Sequence, residues 1–532
     1  MLPGVAFADR TDVTDFPSQT PALPRRARTE RMDPVDVTWL RMDRPGNLMV
    51  IVGVLILAGP VDKPRLAETL ARRMLSYPRF SKRVEQQATG YFWADDPTFN
   101  IAHHIKSERL PGKGGKAELQ QLVSELAARP LDRARPLWEF HIVEDYEGGA
   151  AVVARIHHAV GDGIALVKVL LALTDERAKA PIAPSRTAGL AQAPAEAGNA
   201  WEQMLGTADR WVGTGMQLTG EAWKLWLGLA LRPARAVDYL RQAGGVAGEL
   251  GHLLFMAEDT PTRLKGVPLG DKRVAWAEPI PLPQVKAVCR VLGCSVNDML
   301  LCAAAGAMRQ YLQAKGDPVE GVEIRVLVPI NLRPDGGGEE LGNRFGIIAV
   351  ELPVGIASPL ERLFEVRRRM EELKASYEPA VTMGLFAALG YAPQLAQDRL
   401  FDLLLSRATA VMTNVPGPQV PLYLAGSELK QLVFWVPQSG NLCVGMSILS
   451  FNGKVGFGLI TDAALVPDPE AIVAAFAPEF DRLLYFVLLG ACGEQGVAAA
   501  TAAPGPAKRR RPRANPGAAP AGRAQAARRS AP

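Results

Sequence analysis

Nowhere in this 532-residue chain do apolar residues run unbroken for the ~18 to 20 positions that a membrane-spanning helix requires. Any contact with a membrane is therefore expected to be peripheral. Asp9, Arg10, Asp12 and Asp15 interrupt the place where a signal peptide would keep its apolar core, so no secretory leader is expected either. Cysteine is sparse: Cys289, Cys294, Cys302, Cys443 and Cys492 are odd in number and lie in apolar surroundings. That usage fits buried free thiols in a reducing compartment rather than a disulfide framework, and a cytoplasmic protein is expected. No Cys/His grouping has the spacing of zinc ligands. Gly112-Lys113-Gly114-Gly115-Lys116 lacks the spacing of a nucleotide-binding loop. Histidine is almost as scarce, six residues in all, which gives weight to any place where it clusters.

Two of the six stand together in His157-His158-Ala159-Val160-Gly161-Asp162-Gly163, between a strand-like run, Ala150 to Ile156, and a helix-like run, Ile164 to Leu173. Composition alone would produce this arrangement about 3 × 10⁻⁴ times in such a chain. Side chains alternate between the faces of a strand, so His157 and His158 must point to opposite sides if the strand runs through them. A metal shared by the pair is then awkward, and only one ring can face a given substrate. An imidazole with a pKa of about 6.5 is largely neutral at pH 7 and can accept a proton as a hydroxyl or thiol attacks, which makes one of the pair a candidate general base. Asp162 has three possible duties: to orient an imidazole, to cap the following helix, or to pair with a distant Arg; a structural duty is favoured. Gly161 and Gly163 permit dihedrals or close approaches that a side chain would block. The plainer alternative, two satisfied histidines at a strand end, leaves the Asp-Gly unexplained.

The rest of the chain organises around this turn. Its length calls for two domains with appendages, and an apolar share of 48% is ordinary for a globular protein. Lys508, Arg509, Arg510, Arg511, Arg513, Arg523, Arg528 and Arg529 lie in a tail without acids, so removing those eight from the formal +5 leaves a body at −3. Nothing in that balance argues for nucleic acid. Residues 1–31 read as a flexible leader and 495–532 as a disordered basic tail, either a solvated appendage without function or a segment that meets anionic lipid or polyphosphate surfaces. Between residues 176 and 271 an Ala/Pro-rich connector precedes glycine-interrupted helical sequence carrying Trp201, Trp211, Trp223 and Trp226. Helices packed on the body are the favoured reading there, and lipid contact is the alternative. His103-His104 lacks a following Asp-Gly and reads as structural, as does the isolated His252. Ser295 is placed to cap the helix that follows it, and Asn452-Gly453 to turn a hairpin.

The His-His-x-x-x-Asp-Gly arrangement resembles the active-site signature of the acyltransferase superfamily that includes chloramphenicol acetyltransferase, carnitine acyltransferases and peptide-synthetase condensation domains. Further stretches resemble one branch, the bacterial wax ester synthase/diacylglycerol acyltransferase family. They are Asp33 to Asp43, Pro78-Arg79-Phe80, Pro136-Leu137-Trp138, Ser295-Val296-Asn297-Asp298, Pro329 to Pro334, Leu341 to Gly346 and Thr413 to Pro418. Leu48, Val50 and Asp43 depart from that family's usual Pro, His and Glu. The resemblance covers roughly Asp33 to Leu489.

It implies an α/β fold of two chloramphenicol-acetyltransferase-like domains, each a mixed sheet flanked by helices, over 32–175 and 272–494, joined by a helical connector over 176–271. It implies transfer of a fatty acyl group from acyl-CoA to a long-chain alcohol or to diacylglycerol, with His158 as base and His157, Asp162 and Gly163 completing the catalytic turn. Asn297 is expected near the catalytic centre, where its amide would hold the acceptor or the thioester oxygen; the plainer reading is a helix-cap residue. Trp138 is expected either in the core or lining the acyl channel. Arg333 and Arg344 are candidate partners for Asp162. Acyl-CoA is a co-substrate, and no metal or other cofactor is expected. The competing readings are a non-catalytic protein of lipid-droplet surfaces, an acyltransferase for polyketide or other hydroxyl acceptors, and a condensation domain.

Overall fold

Where the chain runs in Val, Ile and Leu it forms sheet, because β-branched and aliphatic side chains pack well on a pleated surface. The computed structural model describes residues 29–182, 257–331, 343, 345–373, 382, 385, 389 and 393–491. Most of the sequence read as leader, all four tryptophans of the connector, His252, Arg333, Arg344, Cys492 and the basic tail lie outside the described residues.

A small sheet has the order β1-β4-β3, from β1 (Glu30–Arg31), β3 (Lys82–Gln87) and β4 (Gly90–Asp95). Glu30 and Arg31, assigned to the leader from sequence, thus pair with Trp93 and Phe92. The first large sheet takes β2 (Val50–Leu57), β5 (Ile105–Glu108), β6 (Trp138–Tyr146) and β7 (Gly149–His157) from the first half of the chain. It also takes β13 (Tyr423–Leu424) and β14 (Ser427–Trp435) from the second half, in the order β13-β14-β2-β7-β6-β5. The second large sheet has the order β11-β10-β12-β15-β16-β8, with β9 (Ile280–Pro281) paired to β16. Its strands are β8 (Lys272–Trp276), β10 (Ile324–Asn331), β11 (Phe345–Leu352), β12 (Ala410–Pro416), β15 (Val444–Phe451) and β16 (Lys454–Asp462). Parallel pairs (β5 with β6, β10 with β12, β12 with β15) among antiparallel ones make both large sheets mixed.

Nine α-helices have bounds among the described residues: α1 (Pro34–Met42), α2 (Lys63–Thr69), α3 (Lys116–Ala127), α4 (Gly163–Ala172), α5 (Leu282–Leu292), α6 (Val296–Ala314), α7 (Pro359–Leu373), α8 (Gln394–Leu405) and α9 (Pro469–Ala491). The side chains of Asp33, Asp62, Asp162 and Ser295 cap the starts of four of them. Asp33 accepts from the Val35 N–H ahead of Pro34, and Ser295 accepts from Asp298 while Asp298 accepts in return from Ser295. Gly293 ends α5 in the left-handed region at φ 65°, a conformation that favours glycine. Asn452 and Gly453, at φ 46° and 73°, turn β15 into β16 as their sequence predicts.

The pairing of β14 with β2, from Leu429 opposite Leu57 to Trp435 opposite Val52, stitches the second half of the chain into the first sheet. Helix α4 lies against that sheet, leaving an apolar gap lined by Ile51, Gly53, Ala154, Leu166, Leu170 and Phe434 among others. The chain divides at Tyr485: both large sheets belong to the unit before it, and the last turns of α9 to the unit after it. Among the described residues no single helix is long and apolar enough to cross a membrane; α5 and α6 pass that test only together and are bent by 100°.

Candidate active site

Strand β7 ends at His157 and α4 begins at Gly163, so the turn is suspended between sheet and helix. The His157 N–H donates to the Leu137 carbonyl at 3.0 Å and the His158 N–H to the Met49 carbonyl at 2.7 Å. These bonds fix the backbone while the strand's alternation sends the two rings apart.

The His158 ring stacks on Trp39 with centroids 4.0 Å apart and planes at 19°. It is buried, and loss of water takes its pKa down to about 4, against the upward pull of the Asp162 charge. The imidazole is neutral at pH 7. Asp162 caps α4, its Oδ1 accepting the Ala165 N–H at 2.9 Å, which is the structural duty favoured from sequence. At Gly163 a β-carbon would stand 3.7 Å from Val436 Cγ1, an ordinary contact, so glycine here leaves room in the pocket rather than relieving a clash.

His157 turns the other way. Its Nδ1 accepts the Ala159 N–H at 3.0 Å, which leaves the proton on Nε2, 3.6 Å from Asp43 Oδ2. Burial pulls Asp43 upward, but His157, Arg133 at 2.9 Å and the Met49 N–H at 2.8 Å outweigh it and hold the carboxyl at about 2. On the His158 side a second carboxylate, Asp36, meets Arg79 at 2.8 Å and the Asn343 amide at 2.9 Å. Its burial exceeds what those partners offset, and the pKa rises to about 6. Asn343 also donates to the His158 carbonyl at 2.9 Å, and Arg79 to the Val160 carbonyl at 3.0 Å. Asp36, Arg79 and Asn343 thereby hold the backbone of the turn at two points.

An open-sided pocket meets the His158 ring, enclosing about 610 Å³ of free space including its mouth. One wall comes from Trp39, His158, Asp162 and Gly163, and the other from β10 to β12 and the end of β14, with Ile330, Ile347, Val411, Thr413, Asn414 and Val436 among its residues. Most of the lining is apolar; Asn414 and Thr413 add an amide and a hydroxyl.

The structure therefore brings His158, Asp162 and Gly163 to one pocket and places three expected residues elsewhere. His157 belongs to the Asp43 cluster. Asn297 is one residue removed from the pocket, its Oδ1 accepting from the Asn414 amide at 2.9 Å. Trp138 is fully buried against Phe80, His104 and Phe140, donates to the Phe80 carbonyl at 2.8 Å and does not line this pocket. His104 bonds the Trp138 carbonyl at 2.7 Å, a structural place matching its sequence reading. Cys289, Cys302 and Cys443 are buried free thiols, and Cys294 is half-buried.

Asp36, Trp39, Arg79, Asn343 and Asn414 carry the site without having been singled out individually. One signal was available: Asp36 is an acid between Val35 and Val37, three residues before Trp39, and so on the same helical face. A carboxylate on an apolar face asks for a buried partner.

Residues 32–300 match the family model described as the wax ester synthase/diacylglycerol acyltransferase catalytic domain, and residues 341–484 match the WS/DGAT C-terminal domain. A Mycobacterium tuberculosis protein named as a probable diacylglycerol O-acyltransferase is 27% identical over 456 residues, covering 82% of this chain and 92% of its own. Among solved structures, the wax ester synthase/diacylglycerol acyltransferase of Marinobacter aquaeolei VT8 superposes with a TM-score of 0.58 at 21% identity, over 86% of this chain and 99% of that one. The first condensation domain of the CDA synthetase superposes with a TM-score of 0.50 at 13% identity, over 85% and 95%. These two likenesses establish the α/β fold that the motifs implied.

Proposed function

This chain belongs to the wax ester synthase/diacylglycerol acyltransferase family, and from that premise we propose that it moves a fatty acyl group from acyl-CoA to the hydroxyl of a long-chain alcohol or of diacylglycerol, with His158 as general base. The observation that carries this reading is a buried, neutral imidazole facing a largely apolar pocket.

The acceptor hydroxyl cannot ionise beforehand at neutral pH, so its proton passes to the His158 ring as the oxygen attacks the thioester carbon. The new C–O bond forms, the carbonyl oxygen takes up negative charge, and collapse of that tetrahedral centre breaks the C–S bond. The sulfur leaves with the electron pair and takes the proton back from the imidazolium, giving ester and free CoA. Trp39 keeps the ring from rotating, and Asp162 offsets the transient positive charge. Every proton and charge is handled by side chains, so the scheme calls for no resident cofactor.

Both acceptors partition into lipid, so we place the protein peripherally at a lipid surface. Exposed Tyr485 and Leu489 on α9 and the basic residues after Glu494 support that location. A purely structural lipid-surface protein would have no need of the assembled site. Labelled palmitoyl-CoA offered to purified protein with hexadecanol and with diacylglycerol, followed by lipid separation, tests the activity. Labelled wax ester or triacylglycerol is expected from the wild type and a loss of about a thousandfold in kcat from His158→Ala. No labelled ester with either acceptor, or full turnover by the variant, contradicts it.

A further inference from the structure

From the pocket side chains we infer that Asn414, rather than Asn297, is the amide that touches the thioester carbonyl and receives its developing negative charge, and that Asn297 is a positioning residue acting through it. The inference rests on the acyl-transfer reading above and adds a residue to it.

The transferring carbonyl oxygen must find a donor among the groups that line the pocket with His158. Asp162 would repel the charge. His158 is engaged with the acceptor proton, and the Trp39 ring lies flat against that imidazole. Thr413 and Asn414 remain as side-chain donors in the lining. They are neighbours on β12, opposite Ser447 and Ile448 of β15, and both line the pocket. Thr413 is buried, whereas Asn414 is half-buried.

Asn414 is also the one held in place. One N–H of its amide donates to Asn297 Oδ1 at 2.9 Å, which sets the plane of the group and leaves the second N–H for substrate. Exchanging donor and acceptor across the pair would free both N–H groups of Asn414 instead of one. A donor oriented in advance in a water-poor site stabilises charge without reorganising as the charge appears. Asn297 itself sits at the start of α6, two residues after the Ser295 cap, so the helix terminus fixes Asn297 and Asn297 fixes Asn414. Nothing in the chemistry changes: the acceptor oxygen still bonds to carbon, the C–S electrons still leave with sulfur, and the proton still travels through His158.

The test compares Asn414→Ala, Asn414→Asp, Asn297→Ala, Thr413→Val and the Asn297/Asn414 double alanine variant in the full chain, with palmitoyl-CoA and diacylglycerol, recording kcat and KM for acyl-CoA separately. Thermal melting checks that each variant folds. For Asn414→Ala, kcat is expected to fall about a hundredfold while KM moves less than about threefold, as for loss of one oxyanion donor. Asn414→Asp preserves shape but sets a negative charge against the oxyanion; it should lose at least as much, and it keeps the test open if the alanine variant misfolds. Asn297→Ala should lose about tenfold and add less than about twofold on top of Asn414→Ala, the non-additivity of residues acting as one unit. An Asn414→Ala enzyme with wild-type kcat, a larger loss from Thr413→Val, or independent multiplying losses from the two asparagines would overturn the assignment. A wild-type protein that transfers nothing would instead remove the functional reading beneath it.

Discussion

Asp36 and Asp43 lie on the same short stretch of chain, each serves one histidine of the turn, and they titrate in opposite directions. The Asp36 side chain is 1% exposed with one cation against it, and its pKa climbs to about 6; Asp43 is 12% exposed, meets His157, Arg133 and a backbone N–H, and falls to about 2. The two carboxylates therefore differ in burial and in the number of groups that hold their charge. Asp36 fixes the turn on the side where His158 meets the pocket, while Asp43 anchors the strand end through His157. Adjacent, chemically identical residues thus acquire separate duties from the face they occupy.

The largest effect that would sharpen this contrast is on rate. His158→Ala is expected to lower kcat about a thousandfold, against about tenfold for His157→Asn, which disturbs only the anchoring of the turn. Equal losses in a steady-state assay would break the division. On stability the larger effect should belong to the more deeply buried carboxylate. Asp36→Ala leaves the Arg79 guanidinium, itself mostly buried, without its counter-charge, and should cost about 3 to 5 kcal/mol in urea unfolding. Asp43→Ala, nearer water, should cost about 1.5 to 3 kcal/mol for its lost charged hydrogen bonds.

Linkage gives a third contrast. Asp36, raised above its ordinary 3.8 to about 6, contributes stability that grows as pH falls from 6 toward 3.8. Asp43, lowered to about 2, contributes stability that is complete above 3.8 and is lost as pH falls through 2. His158, lowered from 6.5 to about 4, contributes stability lost between those values as pH falls. Between pH 7 and 4, the stability of wild type relative to Asp36→Asn should therefore rise, and that relative to His158→Gln should fall. Unfolding series in which the two differences run the same way would contradict the account. The smallest effect belongs to Trp138→Phe: about 1 to 3 kcal/mol of stability from a carbonyl left without its donor, with acyl-length preference in a mixed acyl-CoA competition unchanged.

Sequence carried the fold a long way because the strong signals were local. The aliphatic run at Val50–Leu57, the apolar strand ending at His157 and the Asn452-Gly453 turn each declare an element within ten residues. The insertion of β14 beside β2 is not local: nothing in Ser427–Trp435 names a partner almost 380 residues away, and only the shared apolar face selects it. Within the site, His158, Asp162 and Gly163 were readable because they share one turn. Asp36, Arg79 and Asn343 were not, since their meaning lies in distances between α1, the Pro78–Ser81 turn and the approach to β11. Asn297 was readable as close to the centre, but that Asn414 stands between it and the pocket is a property of β12 packing beside α6.

The account depends most directly on the charge of one ring. With ¹⁵N-labelled histidine and the His158→Ala variant to assign the signal, the ring shifts of His158 can be followed from pH 8 to 4. The structure predicts a neutral imidazole at pH 7 that begins to charge only toward about pH 4. A ring already cationic at pH 7, or one titrating near the ordinary 6.5, would contradict it, because the site would then be wet and its base already carrying the proton it is meant to take.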